Sequence, residues 1–277
     1  MTVTRRWVLS SGAAVAAGAA LGEPALAALP VVDMEMVLLA AQVDPPKPNT
    51  GLTPGASAHV LEVERALNAR GFLASGPVDG HFGTSTVSAY AAWQRSLGYT
   101  GIDANGIPGP TSLTALGQNR FSLSRPISIG SSTDSYSGKR VNTRTRNMLS
   151  RADSMLSWSI VLSQGSYTSS NPASAGTHDG GGVVDISVTS LTTTQRWQTV
   201  KALRTVGFAA WLRNPSQGDW PYHIHAAAVS DTDMSQSARN QVHDYYFGRN
   251  GLANHAADDT PTAYRMPFTW WEKFLRG

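Results

Sequence analysis

Thr177-His178-Asp179-Gly180-Gly181-Gly182-Val183-Val184-Asp185 sets a histidine, three consecutive glycines and a carboxylate in one short run. From Val183 to Val188 the residues are mostly β-branched and read as a strand interrupted by Asp185. Strand alternation puts Val183, Asp185 and Ser187 on one face and Val184, Ile186 and Val188 on the other. The second face is expected in a core, and Asp185 in a groove. A carboxylate there needs a partner, because burying it unpaired is costly. Gly180, Gly181 and Gly182 remove side chains beside it. They are expected to let a ligand approach and to let the loop fold His178 back toward Asp185.

Further along, Trp220-Pro221-Tyr222-His223-Ile224-His225 carries two histidines on one face of a predicted strand. With His178 and Asp185 they supply three imidazoles and a carboxylate. Catalytic zinc takes three nitrogen or oxygen ligands and a water, which leaves one group to act on that water. Taken singly, each histidine is more simply a hydrogen-bonded residue, and Asp185 a buried acceptor. The combination favours a metal.

Around this pair the chain mixes helices and strands. Val141–Leu156 and Thr192–Val206 read as helices. Ile160–Leu162 and Phe208–Leu212 read as strands, and the whole region from 139 onward as α+β with a small antiparallel sheet. The aromatics of residues 230–277, Tyr245, Tyr246, Phe247, Phe268, Trp270 and Trp271, are expected in core packing, with Trp270 or Trp271 in a groove as the alternative.

Upstream, a helix from Ser57 to Arg70 ends at Gly71, with Ser57 as its expected cap. A turn at Val78–Gly83 precedes a second helix capped by Thr84, with Val87, Tyr90, Ala91, Trp93 and Leu97 apolar. A turn at Asn105–Pro110 and a short helix at Thr111–Leu116 close the unit. The Pro/Gly-dense residues 28–56 and the Ser/Gly/Pro-rich residues 119–138 read as linkers.

The pattern V-x-x-V-E-x-x-L-N-x-x-G-F, V-D-G-x-F-G, A-A-W-Q and N-G-I-P-G-P is similar to the three-helix peptidoglycan-binding domain, over residues 57–118. Ser-Ala-Gly-Thr-His-Asp-Gly-Gly-Gly-Val-Val-Asp and the later His-Ile-His resemble the motifs of zinc D-Ala-D-Ala carboxypeptidases and their VanY-like and endolysin relatives. The resemblance implies Zn²⁺ ligands at His178, Asp185 and His225, with His223 as the catalytic histidine. It implies hydrolysis of a peptide bond in peptidoglycan, stem or cross-link, tethered by the helical module. Two departures stand out. Ser163-Gln164-Gly165-Ser166-Tyr167 lacks the arginine usual in that family, so Gln164 or Tyr167 is expected to donate to the developing oxyanion. Asp219 is the only carboxylate near the last histidine, at the wrong spacing for a base. Asp179 is expected to orient a ligand histidine. The alternative reading is a non-catalytic wall-binding protein that keeps the fold.

Across 277 residues, 41% are hydrophobic and 15% charged, enough apolar material for a core. Net charge is +3 with no long basic run, which gives a nucleic-acid role little support. There is no cysteine, so neither a disulfide nor a lipid-bearing cysteine is available. Arg5-Arg6, the apolar stretch Trp7–Leu21 and Ala25-Leu26-Ala27 read as an export signal over residues 1–27, with a twin-arginine motif at Thr4–Leu9. The expected product is a monomer outside the cytoplasm, secreted or at the cell wall, with no membrane anchor after signal cleavage.

Overall fold

The computed structural model describes residues 28–45, 53–169 and 171–277. The expected export signal over residues 1–27 and the Pro/Gly-dense stretch at 46–52 lie outside the described residues. Strand β1 (Val31–Asp33) runs straight into helix α1 (Met34–Val43), where the Asp33 carboxylate caps the helix by accepting from the Glu35 amide at 3.0 Å. The expectation of a linker over residues 28–56 is therefore corrected for residues 31–43. Their composition is that of a buried helix: every residue of α1 except Met36 is buried. Pro and Gly gather only after Asp44.

Next come α2 (Ser57–Ala69), α3 (Thr84–Ser96) and α4 (Pro110–Gly117), the three helices read from the sequence. Their N-caps are Ala56, Gly83 and Gly109, so Ser57 and Thr84 are not the caps expected. Side chains hold the two turns between these helices. The buried Glu64 carboxylate accepts from the amides of Asp79 (3.0 Å) and Gly80 (2.7 Å) and from the Thr86 hydroxyl. Gln94 does the same for the second turn, accepting from Gly106 N–H and donating to Ile107 C=O, both at 2.8 Å. Gly106 has φ +81°, and a Cβ there would strike the Val87 backbone carbonyl, so only glycine fits. The Glu and Gln of the motif are thus turn-holding residues.

Burial pushes the Glu64 carboxyl up to about 7, against the hydrogen bonds that favour its charged form. A raised folded-state pKa contributes stability that is complete below the unfolded value and is lost as pH rises through 7. Glu64→Gln keeps an acceptor for the turn without the charge. Relative to this variant, the wild type should lose about 2 kcal/mol between about pH 5 and pH 8, allowing for residual solvent screening. Denaturant unfolding of both proteins across that range tests it; a difference that stays flat would mean Glu64 is ionised throughout.

Beyond α4, strand β2 (Ser122–Ser124) pairs in parallel with β1, Val32 opposite Leu123. Strands β3 (Asp134–Tyr136) and β4 (Lys139–Val141) form a hairpin. The linker expected over 119–138 therefore includes two paired strands. Helix α5 (Thr143–Asp153) follows, then β5 (Leu162–Gln164), β6 (Val183–Ser187), α6 (Thr193–Thr205), β7 (Phe208–Arg213), β8 (His223–Ala228), α7 (Gln236–Tyr246) and α8 (Trp271–Arg276). Strands β5-β6-β8-β7, in that order, make one antiparallel sheet. The fold is mixed α+β, as the sequence predicts.

Each face of this sheet contributes to a core. Val184, Ile186, Ile224, Ala226, Ala210 and Leu212 pack with α5 and α6 residues such as Met148, Leu149, Val200 and Leu203. On the opposite face Val183, Ala227, Ala209 and Trp211 join a second core, which runs without a break through α7 and α1 into α2, α3 and α4. The helical module and the sheet domain share this core. Polar contacts reinforce the junction. Asn105 Nδ2 donates to the carbonyls of Thr232 and Met234, Gln42 Oε1 accepts from the Ser230 amide, and Val43 C=O accepts from His243 Nδ1 at 2.7 Å. Glu35, 1% exposed, accepts from Trp270 Nε1 (2.7 Å) and pairs with Arg276, fastening the end of the described chain to α1. Trp270 is buried in this contact and Trp271 packs against the first core, so neither lines a groove. Among the described residues no helix is long and apolar enough to cross a membrane.

Candidate metal centre

The second face of the sheet is not covered along its whole length. Where α7 and its loops leave it open lies a cavity of about 630 Å³. Strand register sets its floor. Asp185 is opposite His225, Trp211 is opposite His225 on the other side, and Arg213 is opposite His223. Residues opposite one another share a face, so Asp185, His223, His225 and Arg213 all line the cavity. His178 reaches it from the loop before β6.

Three imidazoles converge on one oxygen. Asp185 Oδ1 lies 2.8 Å from His225 Nδ1, 3.4 Å from His178 Nε2 and 3.8 Å from His223 Nε2. One ligand atom each from His178, Asp185 and His225 falls within 4.8 Å of the others. The far nitrogen of each ring fixes the tautomer. His178 Nδ1 is 2.9 Å from Gly165 C=O and His223 Nδ1 is 2.9 Å from Pro221 C=O; a carbonyl only accepts, so both nitrogens carry the hydrogen. His225 Nε2 is 2.8 Å from Gln241 Oε1, an acceptor oriented by the donation of Gln241 Nε2 to Gly251 C=O.

In neutral rings that leaves three nitrogen lone pairs aimed at a carboxylate oxygen. Such an arrangement repels itself unless a cation sits among the groups. Burial lowers the pKa of His225 despite the nearby carboxylate, which disfavours a proton as that cation. Two neutral imidazoles, one carboxylate and an outer acceptor on each ring make a donor set that suits Zn²⁺. The residues present fit the ion.

The sequence locates the four central residues, and the structure brings them together. Other expectations are corrected. Tyr167 does not line the cavity: its hydroxyl donates to Asp233 Oδ2 at 2.8 Å behind the glycine loop. Gln164 lines the cavity, but its amide hydrogens go to Thr168 Oγ1 and Ser174 Oγ, both at 2.9 Å, so it ties loops together and is not available to an oxyanion. Asp179 is exposed and bonds none of the three ring nitrogens; Gly165, Pro221 and Gln241 do that instead. The glycines admit the chain's own segment 231–235. A Cβ on Gly180 would collide with the Asp233 carbonyl and one on Gly181 with Tyr167 Oη at 2.7 Å.

Two lining residues escape the sequence reading. Gln241 comes from α7 and orients His225. Arg213 is 3% exposed, and burial lowers its pKa only to about 10, so it keeps its charge at neutral pH. Neither sits in a motif; strand register and helix packing bring them in.

Residues 57–116, spanning α2 to α4, match the family model described as a putative peptidoglycan binding domain, and the chain carries that domain. No curated protein and no solved structure matches the chain.

Proposed function

We propose that the protein is a zinc-dependent hydrolase of a peptide bond in peptidoglycan, a D-Ala-D-Ala carboxypeptidase or related endopeptidase of the VanY-like kind. The observation that carries this reading is the convergence of His178, His225 and His223 on Asp185 Oδ1 in an open cavity, in a chain with a peptidoglycan-binding domain. His178, Asp185 and His225 would hold the ion, which supplies Lewis acidity to activate water and polarise the scissile carbonyl. His223 is the least tightly held of the three rings. Its Nδ1–H is fixed on Pro221 and its Nε2 lone pair faces the cavity, so it can take a proton at Nε2 and return it to the departing amine. The binding domain keeps the site close to an insoluble substrate and raises its local concentration.

A second reading, a wall-binding protein without turnover, has one observation in its favour. In the Ser163–Tyr167 loop the side-chain donors of Ser163, Gln164, Ser166 and Tyr167 are all engaged elsewhere. Zinc-loaded protein should be incubated with defined muropeptides and the products separated by mass. Cleavage by the wild type is expected, and His223→Ala should keep its zinc while turnover falls about 100-fold or more. Zinc-loaded protein that cleaves nothing would leave the second reading. Full turnover in His223→Ala would remove that residue from its role.

A further inference from the structure

Arg213 is a buried cation with an unused donor. Its Nη1 donates to Asn250 C=O at 2.7 Å, and its guanidinium carbon lies 4.9 Å from the Trp211 ring centroid. Its Nη2 is buried and has no hydrogen-bond partner among the described residues. Two other buried arginines are matched with carboxylates, Arg144 with Glu272 at 2.8 Å and Arg204 with Asp258 at 2.9 Å, whereas Arg239, which does not line the cavity, is buried without an ion pair among the described residues. Among the described residues no carboxylate lies in ion-pair contact with Arg213. A buried cation left in this state is costly, and an external anion would relieve it.

The position of Arg213 says where that anion would sit. It is directly opposite His223 in the β7–β8 register and on the cavity face of the sheet. Trp220, on the loop leading into β8, lines the same cavity, and its Nε1 is likewise buried with no partner among the described residues. Two unpartnered donors, one of them charged and forked, match a carboxylate, the group that a guanidinium binds through parallel hydrogen bonds.

We propose that Arg213, with Trp220, anchors the free terminal carboxylate of the substrate peptide beside the metal centre. The inference rests on the peptide-hydrolase reading and sharpens it. The site takes a chain end in preference to an internal cross-link, and the cation missing from the Ser163–Tyr167 loop is supplied from strand β7 on the other side of the cavity. Arg213 is then a specificity-determining residue.

The test compares three probes on the full chain: N-acetyl-D-Ala-D-Ala, the same peptide with its C-terminus amidated, and an amidated peptide carrying an internal glutamate. Binding to metal-free protein is measured by calorimetry, and hydrolysis is followed on zinc-loaded protein. The free acid should bind about 10-fold or more tightly than either amide, the scale of a charge-assisted pair. Arg213→Met should erase the preference without changing zinc content. Arg213→Lys, which keeps the charge, should restore part of it. Equal affinity for acid and amide, preference for the glutamate probe, a preference that survives Arg213→Met, or no detectable binding of any probe would each overturn the proposal. The comparison in wild type needs no variant, so a folding defect cannot obscure it. Acid-selective binding that depends on Arg213 but brings no hydrolysis would sink the hydrolase reading alone. Equal hydrolysis of acid and amide would sink this inference alone.

Discussion

His178→Ala should lose its zinc and its activity in one step. The ring is 1% exposed and bound through Nδ1 to Gly165 C=O, so its Nε2 has no freedom to be replaced by a neighbouring group. Loss of an outer partner of a metal ligand typically costs about 10–100-fold in affinity, and loss of a ligand itself costs more. Elemental analysis after removal of loosely held ions should find about one zinc per chain in the wild type and none in the variant. Thermal unfolding supplies an independent reading. Free zinc at about 100 times its dissociation constant should stabilise the wild type by about 2.7 kcal/mol and the variant not at all. A His178→Ala protein that retains one zinc per chain would show that the three groups around Asp185 are not the metal site.

The second large effect concerns the whole chain. A fragment beginning at residue 119 should fail to fold. It lacks α1, whose Met34, Val37, Leu38, Leu39 and Val43 are all buried in the core reached by Val183, Ala209 and Ala227 of the sheet. Burying each such side chain contributes roughly 1.5–3 kcal/mol. Five of them approach the entire stability of an ordinary domain, about 5–15 kcal/mol. The fragment would also leave Ser230 N–H without Gln42, His243 without the Val43 carbonyl, and Trp270 and Arg276 without Glu35. Circular dichroism and chemical-shift dispersion should report a disordered or molten chain. A cooperative unfolding transition in the 119–277 fragment would show that the shared core is dispensable. Contributions of the binding domain to wall attachment are therefore better measured by point substitutions on α2 to α4 than by deletion.

Periodicity made most of this fold legible. Helices α2, α3 and α6 carry apolar positions at helical spacing, and the strand alternation around Asp185 put the right residues on the right face. Helix α1 was hidden for a physical reason. It is buried on nearly all sides, so it has no polar stripe, and the neighbouring prolines dominate the local composition. The central site was readable because His223 and His225 share a strand face with no help from distant chain. Arg213 and Gln241 enter through pairing of β7 with β8 and packing of α7, neither of which leaves a short-range mark. Tyr167 and Gln164 sit in the right loop, but loop sequence does not say which way a side chain turns.

The contact of Glu35 with Trp270 and Arg276 spans 235 and 241 positions of the chain. Helix α1 is made early and meets its last partners only when α8 has emerged. Until then the carboxylate of Glu35 lacks the partners it has in the folded chain. Long-range closure of this kind slows folding, because the entropy of the loop is lost before the contact is gained. Synthesis from the N-terminus therefore does not let the region around α1 mature piece by piece: its consolidation waits on residues made more than 200 positions later.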